Sequence, residues 1–255
     1  VSLITTTTHL IYQLLSTFIA TGDPEPPLKE GTARIYSMRF CPWAERVVLY
    51  ASAKGIDVEI VNIDLQNKPE WYFKKHYQGK VPSFEKDGKV VIESGIIPEY
   101  LDGIYPTNPI LPTDPFLRAQ QRTILEKISG LPTAFYGAAS IVREKLEGEA
   151  KTAKVKPLEE ALDVAEKELS QQFFGGSSPG YADYMVLPFY ERLTALSPVA
   201  ALPNQFPSPR WPKLSAWFTA LTAHPSIQSV LIPIETQRGF FTGYLEGKPN
   251  YDHGI

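Results

Sequence analysis

A chain of 255 residues, 43% hydrophobic and 21% charged, holds enough apolar material for one large core or two ordinary ones, which excludes disorder over most of its length. Lys and Arg number 25 against 28 Asp and Glu, a net charge of −3, so the basic excess of a dedicated nucleic-acid binder is missing. The single cysteine, Cys41, cannot close an internal disulfide or supply a multi-cysteine zinc site, and the four histidines, His9, His76, His224 and His253, show no metal-ligand spacing.

The chain opens on Val1 rather than Met, as a fragment or processed product would. Leu10 to Ala20 is apolar, with Leu14, Leu15, Phe18 and Ile19, but no Lys or Arg precedes Lys29 and the run is too short to cross a bilayer. Residues 1–30 read as a loosely ordered N-terminal extension, with a signal or anchor segment as the alternative, and Asp23-Pro24-Glu25-Pro26-Pro27 forms a proline-stiffened lead-in. No uncharged apolar stretch of about 18–20 residues occurs, so no membrane-spanning helix is expected.

Residues 31–105 read as a small α/β domain. Ala33 to Met38 has strand character, Pro42 opens a helix that Gly55 stops, and Val58 to Ile63 alternates as a strand. That order makes a right-handed βαβ unit with parallel strands. Leu65 to Tyr77 is polar and aromatic, helical or irregular. Val81–Glu85 and Lys89–Ile92 flank Asp87-Gly88, a strong hairpin signal, and Ser94 is placed to cap a helix over about Gly95–Ile104.

Pro106, Pro109, Pro112 and Pro115 mark residues 106–115 as a linker. Residues 116–255 read as all-helical. Phe116 to Val142 is helical with a break near Gly130-Leu131-Pro132, and Leu158, Leu162, Ala165 and Leu169 form one apolar stripe. Further helices are expected over Asp183–Leu196, Pro212–Ala223 and Pro225–Leu231, with a loop at Gly175–Gly180.

Cys41 stands where a strand ends and a helix begins, followed by Pro42. Helix N-termini present unpaired N–H groups and partial positive charge, which favour thiolate over thiol, and proline costs little at the first helical position. The competing reading is an inert buried cysteine. Ala44 occupies the position where a dithiol motif has its second cysteine, so any disulfide on Cys41 must be with an external thiol. Glu93-Ser94, at a strand-to-helix junction, can grip an ammonium and a carboxylate, or Ser94 can simply cap its helix. Lys68 can hold an anionic group or be a solvated surface lysine. Val81-Pro82, opening a strand near a helix-start cysteine, resembles the thioredoxin-like pattern. That pattern implies a cis bond beside the cysteine and a Val81 backbone free to pair with a peptide-like ligand; otherwise Pro82 is an ordinary trans turn proline.

Arg34–Arg46, with Arg39-Phe40-Cys41-Pro42-Trp43-Ala44 at its centre, resembles the omega class of cytosolic glutathione transferases. Asn67-Lys68-Pro69-Glu70-Trp71, Val81-Pro82, Glu93-Ser94, Glu99-Tyr100-Leu101-Asp102, Phe174-Gly175-Gly176 and Pro188–Leu193 carry the same resemblance, which covers about residues 23 to 255. It implies a thioredoxin-like domain with a mixed four-stranded sheet, then a helical bundle, in a cytoplasmic homodimer with glutathione as co-substrate, no metal and no nucleic acid. It implies a Cys41–glutathione mixed disulfide, Lys68 on the glycine carboxylate, the Val81 backbone on the cysteinyl group, and Glu93 with Ser94 on the γ-glutamyl end. Trp43, Phe189, Arg192 and Tyr244 would line the second substrate's site. Thioltransferase activity and reduction of dehydroascorbate and methylated arsenic acids are the implied reactions. Two positions depart from the pattern: Gln237, where many members carry tryptophan, and Gly180, where a Ser or Thr usually starts the helix holding Asp183.

Two rival readings stay open, beside a purely structural or regulatory binding role. Tyr36, expected as a half-buried strand residue, is the candidate hydroxyl for conventional glutathione conjugation. Chloride intracellular channel proteins share the architecture and the Cys-Pro segment, but Glu45, Arg46 and Lys54 make membrane insertion of the following helix costly.

Overall fold

The computed structural model describes residues 18–255, so the expectations for the apolar run before Phe18 lie outside the described residues. The chain divides into two compact units. One takes the residues up to Ile110 together with Pro225–Leu231 and Tyr251–Ile255; the other takes Leu111–His224 and Ile232–Asn250.

In the first unit β1 (Ala33–Ser37), β2 (Val58–Asn62), β3 (Ser83–Lys86) and β4 (Lys89–Ile92) form one mixed sheet in the order β2-β1-β3-β4. β1 and β2 are parallel, with Ser37 opposite Asn62, and α1 (Pro42–Ala53) crosses between them. β3 runs antiparallel to β1, with Tyr36 opposite Ser83, and β4 antiparallel to β3, with Ser83 opposite Ile92. Asp87 (φ 49°) and Gly88 (φ 71°) make the β3–β4 turn, the paired positive φ values that a tight two-residue hairpin requires. Gly55 (φ 64°) ends α1, with its N–H on Ser52 O and that of Ile56 on Ala51 O.

α1 is buried on nearly every side, between β1, α2 (Ile96–Ile104) and the short α8 (Pro225–Gln228). Val47, Val48 and Leu49 are each at most 2% exposed, and burying such side chains contributes about 1.5–3 kcal/mol apiece. The helix that carries Cys41 at its start is therefore held rigidly.

The lead-in is better fixed than its composition implied. Ile19 pairs in parallel with Ile63 beyond the end of β2, its N–H on Asn62 O at 2.8 Å and its carbonyl receiving Asp64 N–H at 2.9 Å. The buried Arg34 guanidinium donates to Pro26 O and Pro27 O and pairs with Glu59. Residues 18–30 are thus tied to the sheet, because their backbone groups find partners that a composition-based reading cannot supply. Between β2 and β3 only a single 3-10 turn, Glu70–Lys74, is helical.

The second unit holds α3 (Pro115–Lys127), α4 (Gly130–Arg143), α5 (Gly148–Glu168), α6 (Tyr181–Val199), α7 (Pro212–Thr222) and α9 (Ile234–Leu245). Asp114 caps α3 by accepting Phe116 N–H and Leu117 N–H. The expected break falls at residues 128–129, before Gly130. The stripe of Leu158, Leu162, Ala165 and Leu169 is buried, and α6 is buried around most of its circumference, as a central helix must be. Helix α9 was not anticipated from the pattern.

Candidate functional site

The sheet register brings four chain segments to one end of the first unit. β1 and β2 are parallel, so both leave the sheet there, toward Cys41 and toward Lys68. β3 enters at that end through Val81-Pro82, and β4 leaves there through Glu93-Ser94. Ligands of α/β sheets bind outside the carboxyl ends of parallel strands, where such loops converge.

Cys41 is the N-cap of α1 (φ −78°, ψ 116°), with Pro42 in the first turn. Its N–H donates to Met38 O at 2.8 Å and its carbonyl accepts Glu45 N–H at 3.0 Å. The residue is 9% exposed, at the positive end of a 12-residue helix. Tyr72 is close enough for the charge of Cys41 to add to the burial that holds its phenol above the ordinary value; a hydrogen bond from Ser83 acts the other way. The Tyr72 hydroxyl donates to Lys80 O at 2.7 Å, so Ser83 Oγ is the donor across the 3.1 Å contact between the two hydroxyls. The Val81–Pro82 bond is cis. Among the described residues the Val81 backbone has no hydrogen-bond partner.

Ser94 is not the cap that the sequence suggested. Gly95 is the N-cap of α2, without a side-chain cap, and Ser94 Oγ instead accepts a hydrogen bond from Arg46 Nη1 at 3.2 Å. Arg46 also lies over the Trp43 ring, 4.4 Å from its centroid. Arg46 was missed as a site residue. Its three-residue spacing from Trp43 on a helix could have signalled that pair, but nothing local signals Ser94.

Glu93 is exposed and sits at φ 76°, a left-handed conformation uncommon outside glycine and concentrated at functional sites. Its carbonyl accepts Ile96 N–H and Ile97 N–H, anchoring the start of α2. His76, 3% exposed, senses it: burial lowers the imidazole pKa, Glu93 opposes that shift and Lys80 adds to it. Lys68 is partly exposed, and its ammonium has no hydrogen bond or ion pair among the described residues. Its stem runs beside Gly79 (φ 62°), where an added Cβ would meet Phe73 Cε1 at 2.9 Å and Lys68 Cδ at 3.0 Å. The positive φ favours glycine there, and any larger residue would also push the Phe73 and Lys68 side chains aside.

Tyr36 is fully buried rather than half-buried. Arg34, two residues earlier on β1, and Glu85, opposite Arg34 on β3, both reach its hydroxyl. Burial pushes the phenol pKa strongly up, and Arg34 only partly opposes this.

The remaining candidates lie in the second unit. Phe189 and Arg192, on α6, have no exposed surface, and Arg192 pairs with the adjacent Glu191 at 3.1 Å. Tyr244, on α9, is 38% exposed and stacks on Phe240 at 5.8 Å. Gln237 is buried, its amide N–H on Ile232 O at 3.2 Å. Among the described residues no group of three or more His, Cys, Asp or Glu could hold a metal.

Comparison with known proteins identifies the family. The family model described as glutathione S-transferase, N-terminal domain, matches residues 31–103, and the corresponding C-terminal domain model matches 148–220. A probable glutathione transferase omega-2 of Caenorhabditis briggsae is 44% identical over 250 residues, 94% of this chain and 97% of that one. Glutathione S-transferase omega-1 of Mus musculus is 39% identical over 240 residues, 91% of this chain and 94% of that one. A rice glutathione transferase, solved in complex with glutathione, superposes with a TM-score of 0.75 at 25% identity, covering 86% of this chain and 100% of that one.

Proposed function

Because the chain belongs to the glutathione transferase family, and within it to the omega class, we propose that it is a glutathione-dependent thioltransferase with Cys41 as nucleophile. One observation carries this reading. The only cysteine of the chain stands at a helix N-terminus, at the sheet end where Val81, Glu93 and Ser94 converge, so the thiol that resolves its disulfide comes from outside.

The cycle has two exchanges. The Cys41 thiolate attacks the glutathionyl sulfur of a mixed disulfide; a Cys41–glutathione disulfide forms and the substrate leaves as a thiolate that takes up a proton. A glutathione thiolate then attacks the glutathionyl sulfur on Cys41, releasing glutathione disulfide and regenerating the Cys41 thiolate. The helix N-terminus favours the anion in both steps, as attacking group and as leaving group.

Glutathione fits the side chains present. The unpaired Lys68 ammonium takes the glycine carboxylate, and the unpaired Val81 backbone pairs with the cysteinyl group as an added strand would. Glu93 takes the γ-glutamyl ammonium, and Ser94, held by Arg46, takes its carboxylate. For the other substrate the candidates with accessible surface are Trp43 and Tyr244, each on its own unit; Phe189 and Arg192, with no exposed surface, are not proposed as contacts. The class suggests dehydroascorbate and methylated arsenic acids as oxidised substrates, a homodimer as the working assembly and the cytoplasm as its place.

Intact-mass measurement after exposure to glutathione disulfide tests the first half-reaction. One glutathionyl group per chain, removed by added glutathione and absent from Cys41→Ser, is expected. A chain that stays unmodified would contradict the proposal. Sedimentation velocity at micromolar concentration tests the homodimer, which a single monomeric species would contradict.

A further inference from the structure

The Lys68 ammonium is unpartnered among the described residues, yet its backbone is fixed from two directions. From one, Asp64 Oδ1 accepts Gln66 N–H at 2.8 Å and Asn67 N–H at 3.0 Å, turning the chain after β2. From the other comes the N-terminal lead-in. Thr21 N–H donates to Asn67 O at 2.7 Å, Thr21 Oγ1 donates to Lys68 O at 3.1 Å, and Trp71 Nε1 donates to Asp23 O at 2.9 Å. The turn making these contacts is itself closed, with Asp23 N–H on Ala20 O and Ala20 N–H on Asp23 Oδ2. Both its ends are anchored, at Ile19 on the sheet and at Pro26 and Pro27 on Arg34. Thr21 is exposed and supports no core; its bonds reach across the chain to the segment that bears Lys68.

A lysine ammonium is a point charge on a flexible stem, so what it contributes depends on where its backbone is held. Gly79 limits the stem, and residues 20–23 hold the base. We propose that the Ala20–Asp23 turn is a positioning element for glutathione binding, with Thr21 acting through Lys68. This rests on the reading that Lys68 holds the glycine carboxylate, and it gives the segment before the sheet domain a part in the site.

The test uses the whole chain with Thr21→Val, Thr21→Ser, Lys68→Met and the Thr21→Val/Lys68→Met pair. The readouts are KM for glutathione, kcat at saturating disulfide, the rate of Cys41 alkylation by iodoacetamide without glutathione, and Tm. Losing one positioning hydrogen bond is expected to raise the glutathione KM of Thr21→Val about threefold to tenfold, with kcat and alkylation unchanged. Thr21→Ser restores the hydroxyl and the wild-type KM, and Thr21→Val adds nothing once Lys68 is Met. An unchanged KM in Thr21→Val beside a raised KM in Lys68→Met overturns the positioning role and leaves Lys68 in place. Lys68→Met with wild-type KM overturns both. A lowered Tm with kcat and KM moving together, unrestored by Thr21→Ser, marks a merely structural contact and overturns the proposal too.

Discussion

The Tyr36 hydroxyl donates to Glu85 Oε2 at 2.7 Å and accepts from Arg34 Nη1 at 3.3 Å, with none of the residue exposed. A phenol held neutral in this way is a poor partner for a glutathione thiolate, which removes the physical basis for Tyr36-assisted conjugation. Tyr36→Phe is therefore expected to keep disulfide turnover within about twofold while costing about 1–2 kcal/mol of stability, since Glu85 retains Lys75 as a partner. Paired kinetics and urea unfolding check both parts. His76 gives a second prediction at this scale. Burial lowers its folded-state pKa below 6.5, against Glu93 and with Lys80, so the unfolded chain binds a proton first as pH falls. The contribution of neutral His76 is fully present above pH 6.5 and is lost as pH drops below it. His76→Asn should flatten that decline, measured by urea unfolding on either side of pH 6.5. Equal slopes in the two proteins would contradict it.

Helix starts show where local rules hold and where packing overrides them. Asp114 and Pro115 open α3 as the sequence rules require. At α6 the N-cap is Gly180, a weak starter by those rules, and the reason lies in space rather than in sequence. A Cβ at Gly180 would sit 2.7 Å from Gly175 Cα and 3.0 Å from Gln121 Oε1. The start is secured instead by Asp183, whose carboxylate accepts Gly180 N–H, Phe174 N–H, Gly175 N–H and Trp217 Nε1–H. A serine cap improves on glycine by only a few tenths of a kcal/mol, whereas forced overpacking costs about 1–3 kcal/mol. Gly180→Ser should therefore destabilise the protein in urea unfolding, although the capping rule alone predicts the reverse; a stabilised variant would contradict this packing account. Helix α9 escaped the pattern because Gly239 and Gly243 interrupt it, and glycine costs about 1 kcal/mol in a helix interior. The strands, the hairpin and α1 were legible because their periodicity, turn residues and stops all agree.

At the scale of the molecule, the site is legible in part. Cys41, Val81, Glu93 and Ser94 each carry a local signal, and the sheet register then brings their segments to one end. Arg46 against Ser94, Tyr72 against Ser83 and Thr21 against Lys68 are contacts between residues far apart in the chain, and no single sequence encodes them locally. The same long-range contacts bear on membrane insertion. Lys54, its side chain fully buried, pairs with Asp102 at 2.7 Å, and Tyr50 donates to Asp102 at 2.6 Å, fastening α1 to α2. Freeing α1 would give up these contacts and bare its buried apolar side chains, before the cost of Arg46 in the bilayer, about 2.5–3.5 kcal/mol, is counted. No described helix is long and apolar enough to cross a membrane. The protein is expected to stay unbound in flotation with anionic lipid vesicles; co-flotation would contradict the account.

The central claim is that Cys41 is the nucleophile of a glutathione-dependent exchange. Turnover of a small glutathionyl mixed disulfide near neutral pH, in the wild type and in Cys41→Ser side by side, tests it most directly. The account predicts steady turnover in the wild type and a loss of at least about a thousandfold in the variant, the scale of removing a covalent nucleophile. Turnover that survives the substitution would contradict it.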